Sequence, residues 1–375
     1  MIYLDNSATT YPKPLNVINA SNIALKNYSF NSGRGGYRQS INTASKIFDV
    51  RQKASNLFGC EEQNLIFTHN CTLAVNMAIK GLVKKGDNVL ISNLEHNAVA
   101  RPVKTLADRG VITYSIFDYS PDDDKVINNI NSLIKSNTRL IICTHASNVF
   151  GCVFPIERIA QLAKQKGIYF VVDGAQGAGV LKVDCKKQGI SAYCAAGHKG
   201  LYGIMSTGIL AINNVELDTI IEGGTGSSSM LLSQVEFHPD RFESGSLNNS
   251  GIIALGAGID FVNKKGIDNI YNHELKLVRC FYKELKKNTN AVLYTDEPVK
   301  YKSSPVLSFN YKDYSSEKTA QLLAKNNIAV RAGLHCAPLA HNAFHTQDRG
   351  TVRISPSVFT TYYECEKFLN TLKKL

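Results

Sequence analysis

The stretch Ala195-Ala-Gly-His-Lys-Gly-Leu-Tyr-Gly203 decides how the rest of the chain is read. It follows a short apolar run at 191–194 and sets Lys199 in a glycine-flanked turn where a strand would end. In open α/β sheets ligands gather at the carboxyl ends of strands. A lysine held there among apolar neighbours loses its charge easily and becomes a nucleophile suited to Schiff-base chemistry.

A second segment supplies a partner. Tyr169-Phe-Val-Val-Asp173 has the β-branched and aromatic content of a buried strand that stops on a carboxylate, and Gly-Ala-Gln176-Gly177 is the small-residue turn behind it. A buried aspartate is unfavourable without a cation beside it. The ring nitrogen of pyridoxal phosphate is such a cation, and a lysine with an aspartate partner is the pattern that holds this cofactor. Asp173 and Lys199 are 26 residues apart, the length of a strand, a helix and a strand, so both can end on one edge of a parallel sheet.

The neighbouring segments fit that sheet. Strands are expected at 65–68, 88–92, 111–117, 139–145 and 206–212, alternating with helices, which implies a mainly parallel sheet covered on both faces. Residues 1–40 are expected to be mostly irregular, with Asn-, Ser- and Gly-rich loops at 5–10 and 31–37 approaching a ligand, before a helix at 41–58 that Gly59 ends. Asn70 is a good N-cap for the helix after the first strand, and Thr72 in its first turn lies where free N–H groups favour a phosphate. His96 falls just past the 88–92 strand, placed to stack on a flat ring and move protons as a catalytic residue, and Asn148 lies in the loop after the 139–145 strand, able to donate to an oxyanion. The Gly- and Ser-rich loops at 222–229 and 241–248 suit binding or a subunit contact.

A long helical region from 252 leads to a smaller α+β lobe, with strands at 306–309, 328–331 and 351–355 and helices at 315–326 and 361–374. The expected division is an arm at 1–15, a large α/β domain at 16–260 and a small domain at 261–375. The small lobe carries Arg331-Ala-Gly-Leu-His-Cys336-Ala-Pro338 and then Arg353. A histidine before Cys336 and an arginine nearby would favour its thiolate, whereas His335, Cys336, His341 and His345 match no usual zinc spacing.

Composition bounds the class. The chain is 375 residues long, 44% hydrophobic and 19% charged, as soluble globular proteins are, and the expectation is a cytoplasmic protein with no leader and no membrane span. Nine cysteines, an odd number with no Cys-x-x-Cys pair, fit a reducing compartment. The net charge of +11 is spread over dispersed lysine pairs instead of one block, which argues against nucleic acid and suits anionic small molecules or an acidic partner.

Taken together, Tyr3-Leu-Asp-Asn-Ser-Ala-Thr-Thr10, Glu95-His-Asn97, Ser147-Asn-Val149, Val172-Asp-Gly-Ala-Gln-Gly177, Gly197-His-Lys199, Arg241-Phe-Glu-Ser-Gly245 and the segment around Cys336 resemble the class V pyridoxal-phosphate enzymes, most closely the SufS-like cysteine desulfurases. The resemblance implies the type I fold of pyridoxal-phosphate transferases, a seven-stranded sheet with a smaller domain, and a homodimer. It implies that Lys199 binds the cofactor covalently, Asp173 pairs with its ring nitrogen, Gln176 with its ring hydroxyl, and His96 stacks on it. Cys71, Thr72, Asn148 and His198 would help to hold the cofactor, with Ser246 reaching in from a second subunit. Asn148, Arg353, Arg331 and Tyr37 would face the substrate, L-cysteine, and Cys336 would take its sulfur as a persulfide for an acceptor protein. Ala196, Leu73, Tyr37 and the pair Ile204-Met205 depart from the usual pattern. A different class V reaction, such as selenocysteine lysis or transamination, is the alternative, and dependence on Cys336 separates it. A non-catalytic relative is disfavoured because Lys199, Asp173, His96 and Cys336 are all present.

Overall fold

The computed structural model describes residues 1–33 and 35–375. Its centre is a sheet of seven strands in the order Leu65–Thr68, Gly208–Ile212, Ala192–Ala196, Tyr169–Asp173, Thr138–Thr144, Asn88–Ser92 and Thr113–Phe117. The last five run parallel, and Gly208–Ile212 is antiparallel to both of its neighbours. The sheet is therefore mainly parallel. Its inner strands are buried on both faces, which requires apolar cover on each side. One apolar cluster joins Phe58, Phe67, Ile141, Phe170, Tyr193 and Ile259, and a second joins Val75, Ile91, Ile142, Val171 and Leu210. Alternate residues of the same strands feed the two clusters, as period-two side chains must.

Register places the chemistry. Asp173 is the last residue of its strand and pairs with Cys194 on the next, so the turn carrying Lys199 emerges beside it. Gly179, at φ 77°, makes that approach feasible: a Cβ there would fall on the carbonyl oxygen of Gly200.

A second sheet, antiparallel and of four strands, has the order Arg331–Gly333, Thr351–Ile354, Leu307–Tyr311 and Ala291–Leu293. It packs with the helices Ile267–Lys286 and Tyr362–Lys373 around Phe281, Phe309 and Phe368. The chain passes from one lobe to the other through Asn249–Lys265 and turns at Gly266. Ile2–Tyr3 joins the second lobe by pairing in parallel with Ile328–Ala329.

The structure departs from the local expectations at a few points. Residues 1–40, though irregular over more than half of their length, contain a helix that went unread, Leu15–Asn27, packed on Asn249–Lys265. It buries only Val17 and Ala24 and leaves Leu15, Ile18, Ile23 and Leu25 exposed, so the sequence shows no clean apolar stripe. The segment 328–331 is not one strand, because the chain changes sheets at Val330. Several short elements also went unread, among them Ala291–Leu293, a three-residue edge strand, and the helix Pro338–Ala343 behind Cys336.

Candidate active site

At the strand ends, one cleft gathers Cys71, Thr72, His96, Asn148, Asp173, Gln176, His198 and Lys199. Asp173 is 2% exposed, and its Oδ1 accepts from the Ala175 N–H at 3.0 Å and from the Cys71 thiol at 3.4 Å. Burial and the carboxylate hold the Cys71 thiol well above its ordinary pKa, so it stays a donor. The Lys199 amine is pushed down, mainly by burial and further by Arg353 and Arg331, while Cys71 and Asp173 oppose the shift. A lysine so placed reaches its neutral, nucleophilic form more readily than one in water.

His96 is the N-cap of the helix Asn97–Asp108, and its Nδ1 accepts from the Ala98 N–H at 3.0 Å. That bond fixes the tautomer: in the neutral ring Nε2 carries the hydrogen. Burial lowers its pKa, which favours the neutral ring. Immediately upstream, Glu95 is fully buried and its Oε1 accepts from the Thr144 N–H at 2.8 Å and from the Ser92 hydroxyl. Burial pushes its carboxyl up to about 8, so it is a neutral strut between two strand ends.

The turn before Lys199 is clamped from outside the sheet. The carbonyl of His198 accepts from Thr10 N–H at 3.1 Å, Thr9 Oγ1 at 3.1 Å, Thr10 Oγ1 at 3.2 Å and Lys13 Nζ at 2.9 Å. The same arm carries Ser7, whose carbonyl accepts from Gln176 Nε2 at 3.0 Å.

The second lobe closes the cleft. Arg353 is 2% exposed and donates from Nη1 to the Asn148 carbonyl at 2.9 Å and from Nη2 to Asp5 at 2.6 Å. Arg331 stands opposite Arg353 in register on the adjoining strand. Asn148 donates to the His335 carbonyl at 2.9 Å, and the Cys336 carbonyl accepts from the Asn97 N–H at 2.7 Å. His335 and Cys336 both adopt left-handed backbone angles, φ 51° and 56°, in a sharp turn that leaves Cys336 the exposed one of the nine cysteines. Cys336 shares a surface groove with Thr72, His96, Asn97 and Arg101.

One expectation changes here. His335 does not supply positive charge to Cys336: burial, with Arg353 beside it, pushes its imidazole down to about 2, and its Nδ1 faces His341 Nε2 at 3.4 Å. Within one chain Tyr37 lies away from the Lys199 cleft, and so does Ser246, whose expected place is in the cleft of a second subunit. Tyr37 is half exposed against Phe30, and Ser246 lines a separate cavity with Phe30, Phe48 and Glu243. Among the described residues no group of three His, Cys, Asp or Glu side chains is arranged to hold a metal ion.

Sequence reasoning assigned no separate role to Asp5, Lys13 or Glu95. Asp5 and Lys13 act through contacts with residues 348 and 185 positions away, which no local pattern encodes. Glu95 had a signal: an acidic residue three positions past a strand that reads as buried must be either paired or protonated.

Residues 2–368 match the family model described as Aminotransferase class-V, and the chain belongs to that family. Over its whole length it is 32% identical to a probable cysteine desulfurase of Methanothermobacter thermautotrophicus, covering 94% of that protein, and 31% identical to a cysteine desulfurase of Wigglesworthia glossinidia brevipalpis, covering 92%. The solved structure of the cysteine desulfurase from Thermococcus onnurineus NA1 superposes with a TM-score of 0.91 at 28% identity, covering all of this chain and 94% of that one. The fold is thus that of the type I pyridoxal-phosphate enzymes.

Members of this family use pyridoxal phosphate in general, and the cleft offers what that cofactor needs. A buried carboxylate faces a neutralisable lysine, and the Nδ1 of His198 is buried without a partner beside the first turn of the helix Cys71–Leu82. An unpartnered imidazole nitrogen near a helix N-terminus is a donor in want of an anion such as a phosphate.

Proposed function

We propose that this protein is a pyridoxal-phosphate-dependent cysteine desulfurase, converting L-cysteine to L-alanine with transfer of sulfur to Cys336. The observation that supports it most is the placement of Cys336. The bonds from the Asn97 N–H to the Cys336 carbonyl and from the Asn148 side-chain amide to the His335 carbonyl hold an exposed thiol at the mouth of the cleft that contains His96 and Lys199.

Lys199, Asp173, Gln176, His96, Cys71, Thr72 and His198 would hold the cofactor, with Ser246 from a second chain. When bound, pyridoxal phosphate supplies an electron sink for charge developing at the substrate Cα. Arg353, with Arg331 and Asn148, binds the substrate carboxylate and turns the Cα–H toward Lys199. The Lys199 Nζ takes that proton as its base, aided by the lowered pKa. The Cys336 Sγ attacks the substrate sulfur: an S–S bond forms, the substrate C–S bond breaks, and reprotonation of the carbon skeleton leaves alanine. The enzyme retains the sulfur as a persulfide, and a thiol acceptor protein removes it, as in supply to iron–sulfur cluster assembly.

The working unit in this reading is a cytoplasmic homodimer. Met230, Leu231 and Leu232 are 95%, 60% and 106% exposed, an apolar run that calls for a covering surface next to the loop bearing Ser246. Among the described residues no helix is long and apolar enough to cross a membrane.

The test is alanine release from L-cysteine, with and without a reducing thiol, for the wild type beside Cys336→Ala. Activity in the wild type and its loss in the variant is the expected outcome. Equal activity in both, or none in either with cofactor bound, would move the assignment to another class V reaction.

A further inference from the structure

Arg353 is the side chain this reading assigns to the substrate carboxylate, yet it already has a carboxylate. Its Nη2 donates to Asp5 Oδ1 at 2.6 Å and its Nη1 to the Asn148 carbonyl at 2.9 Å, while its Nε is buried without a partner. The guanidinium side chain is 2% exposed and Asp5 20%. What exposure the pair has lies on the Asp5 side, so a ligand that reaches Arg353 does so through the place Asp5 holds. Asn148 is anchored to the Cys336 loop, whereas Asp5 belongs to the N-terminal arm, whose backbone is pinned on either side of it by Leu4 and Asn6 to Ser355. Its side chain can therefore turn without unthreading the arm.

A buried cation cannot lose its only counter-ion without a large penalty. An incoming carboxylate can replace Asp5 with no change in the charge of the pair; a neutral group cannot. Arg331, in register with Arg353, keeps this corner positive even with Asp5 in place and so draws anions toward it.

We propose that Asp5 is the resident counter-ion of Arg353 and a specificity-determining residue, displaced only by a ligand that brings its own carboxylate. The inference rests on the reading of Arg353 as the carboxylate site. It makes Asp5 a competitor: it weakens the binding of every substrate somewhat, and in return keeps ligands without a carboxylate, such as cysteamine or L-cysteinamide, off the guanidinium.

The experiment uses the cofactor-loaded enzyme and L-alanine as a carboxylate probe that does not turn over. In Asp5→Asn the dissociation constant for L-alanine should fall by about three- to tenfold, the KM for L-cysteine should fall with it, and the preference for L-cysteine over L-cysteinamide should shrink. Weaker or unchanged alanine binding in Asp5→Asn overturns the proposal. Arg353→Lys separates the two layers: if it binds alanine as the wild type does, the carboxylate site itself is misplaced and the role of Asp5 goes with it; if it loses alanine while Asp5→Asn leaves affinity unchanged, only the role of Asp5 fails. Should Asp5→Asn not fold, a crystal structure of the wild type with L-alanine decides: Asp5 turned away from Arg353 is expected, and Asp5 still bonded to Arg353 beside bound alanine overturns the inference.

Discussion

The two sides of the cleft are built in different ways. The side formed by the large sheet is short-range: Asp173, Lys199, His96 and Asn148 all stand at or just beyond the ends of adjacent parallel strands, and the sheet register alone brings them together. The opposite side is long-range, assembled from the arm at Asp5–Lys13, the turn at Cys336 and the strand of Arg353, which meet only when both lobes are folded. Burial shifts the groups of both sides, Glu95 and Lys199 on the sheet and Lys13 and His335 opposite; what sets the opposite side apart is that its contacts are charged or backbone hydrogen bonds between distant segments. The difference suggests a division of labour, with proton transfer set by the sheet and substrate selection by the parts that fold over it.

Substitutions on the sheet side should then act on turnover, and the largest effect belongs to Lys199→Ala. Loss of a positioned base costs about 10²–10⁴-fold in rate, and kcat for alanine formation should fall by that order while the variant still takes up pyridoxal phosphate. A change confined to KM would break the comparison. Glu95→Gln probes the same side through stability. The Glu95 carboxyl has an ordinary value of 4.5 and is pushed up to about 8 in the folded state by burial. The unfolded chain gives up that proton first, so the wild type loses stability as pH rises from 4.5 through 8 and no more beyond it. Glu274, also pushed up to about 8 by burial, adds a loss of the same sign. Glutamine keeps the acceptor for Thr144 and Ser92 but cannot ionise. Its stability relative to wild type should therefore rise with pH across that window, by up to about 5 kcal/mol at its upper end, read as a widening gap in melting temperature; a gap that stays constant with pH would show that Glu95 is ionised in the fold.

The same contrast governs what the sequence discloses. Strand-end residues follow from local pattern, because an apolar run that stops on Asp173 and a glycine-flanked Lys199 announce both the strand and its exposed end. Thr72 could be placed because Asn70 is a recognisable cap, and its side chain does accept from the Leu73 N–H at 2.8 Å. The arm was legible only as a stretch of small polar residues. Its function lies in who meets whom across the fold, and the pairing of Asp5 with Arg353 spans almost the entire chain. The neutrality of His335 was equally hidden: a histidine beside a cysteine suggests a cation, and only its burial against His341 and Arg353 reverses that. Tyr37 and Ser246 were placed by resemblance; within one chain Tyr37 is half exposed and Ser246 lines a different cavity from that of Lys199.

The smallest effect sharpens the comparison most, because Lys13 bridges the two sides. Its Nζ donates to the His198 carbonyl at 2.9 Å and to Thr10 Oγ1 at 2.8 Å, and burial pushes its pKa down to about 8. Lys13→Met keeps the buried stem and removes the donor. Three other donors remain on the carbonyl, from Thr9 and Thr10, so the peptide that leads into Lys199 should loosen without being released. Loss of one charged hydrogen bond with partial compensation is worth about 1 kcal/mol, or roughly a fivefold fall in kcat with KM for L-cysteine nearly unchanged. The absorbance of the bound cofactor should report the disturbance of Lys199 independently of turnover. If KM rose and kcat held, the arm would serve substrate selection along its whole length. If kcat fell and KM held, the arm would divide at Ser7, with Asp5 serving the substrate and Lys13 serving the lysine.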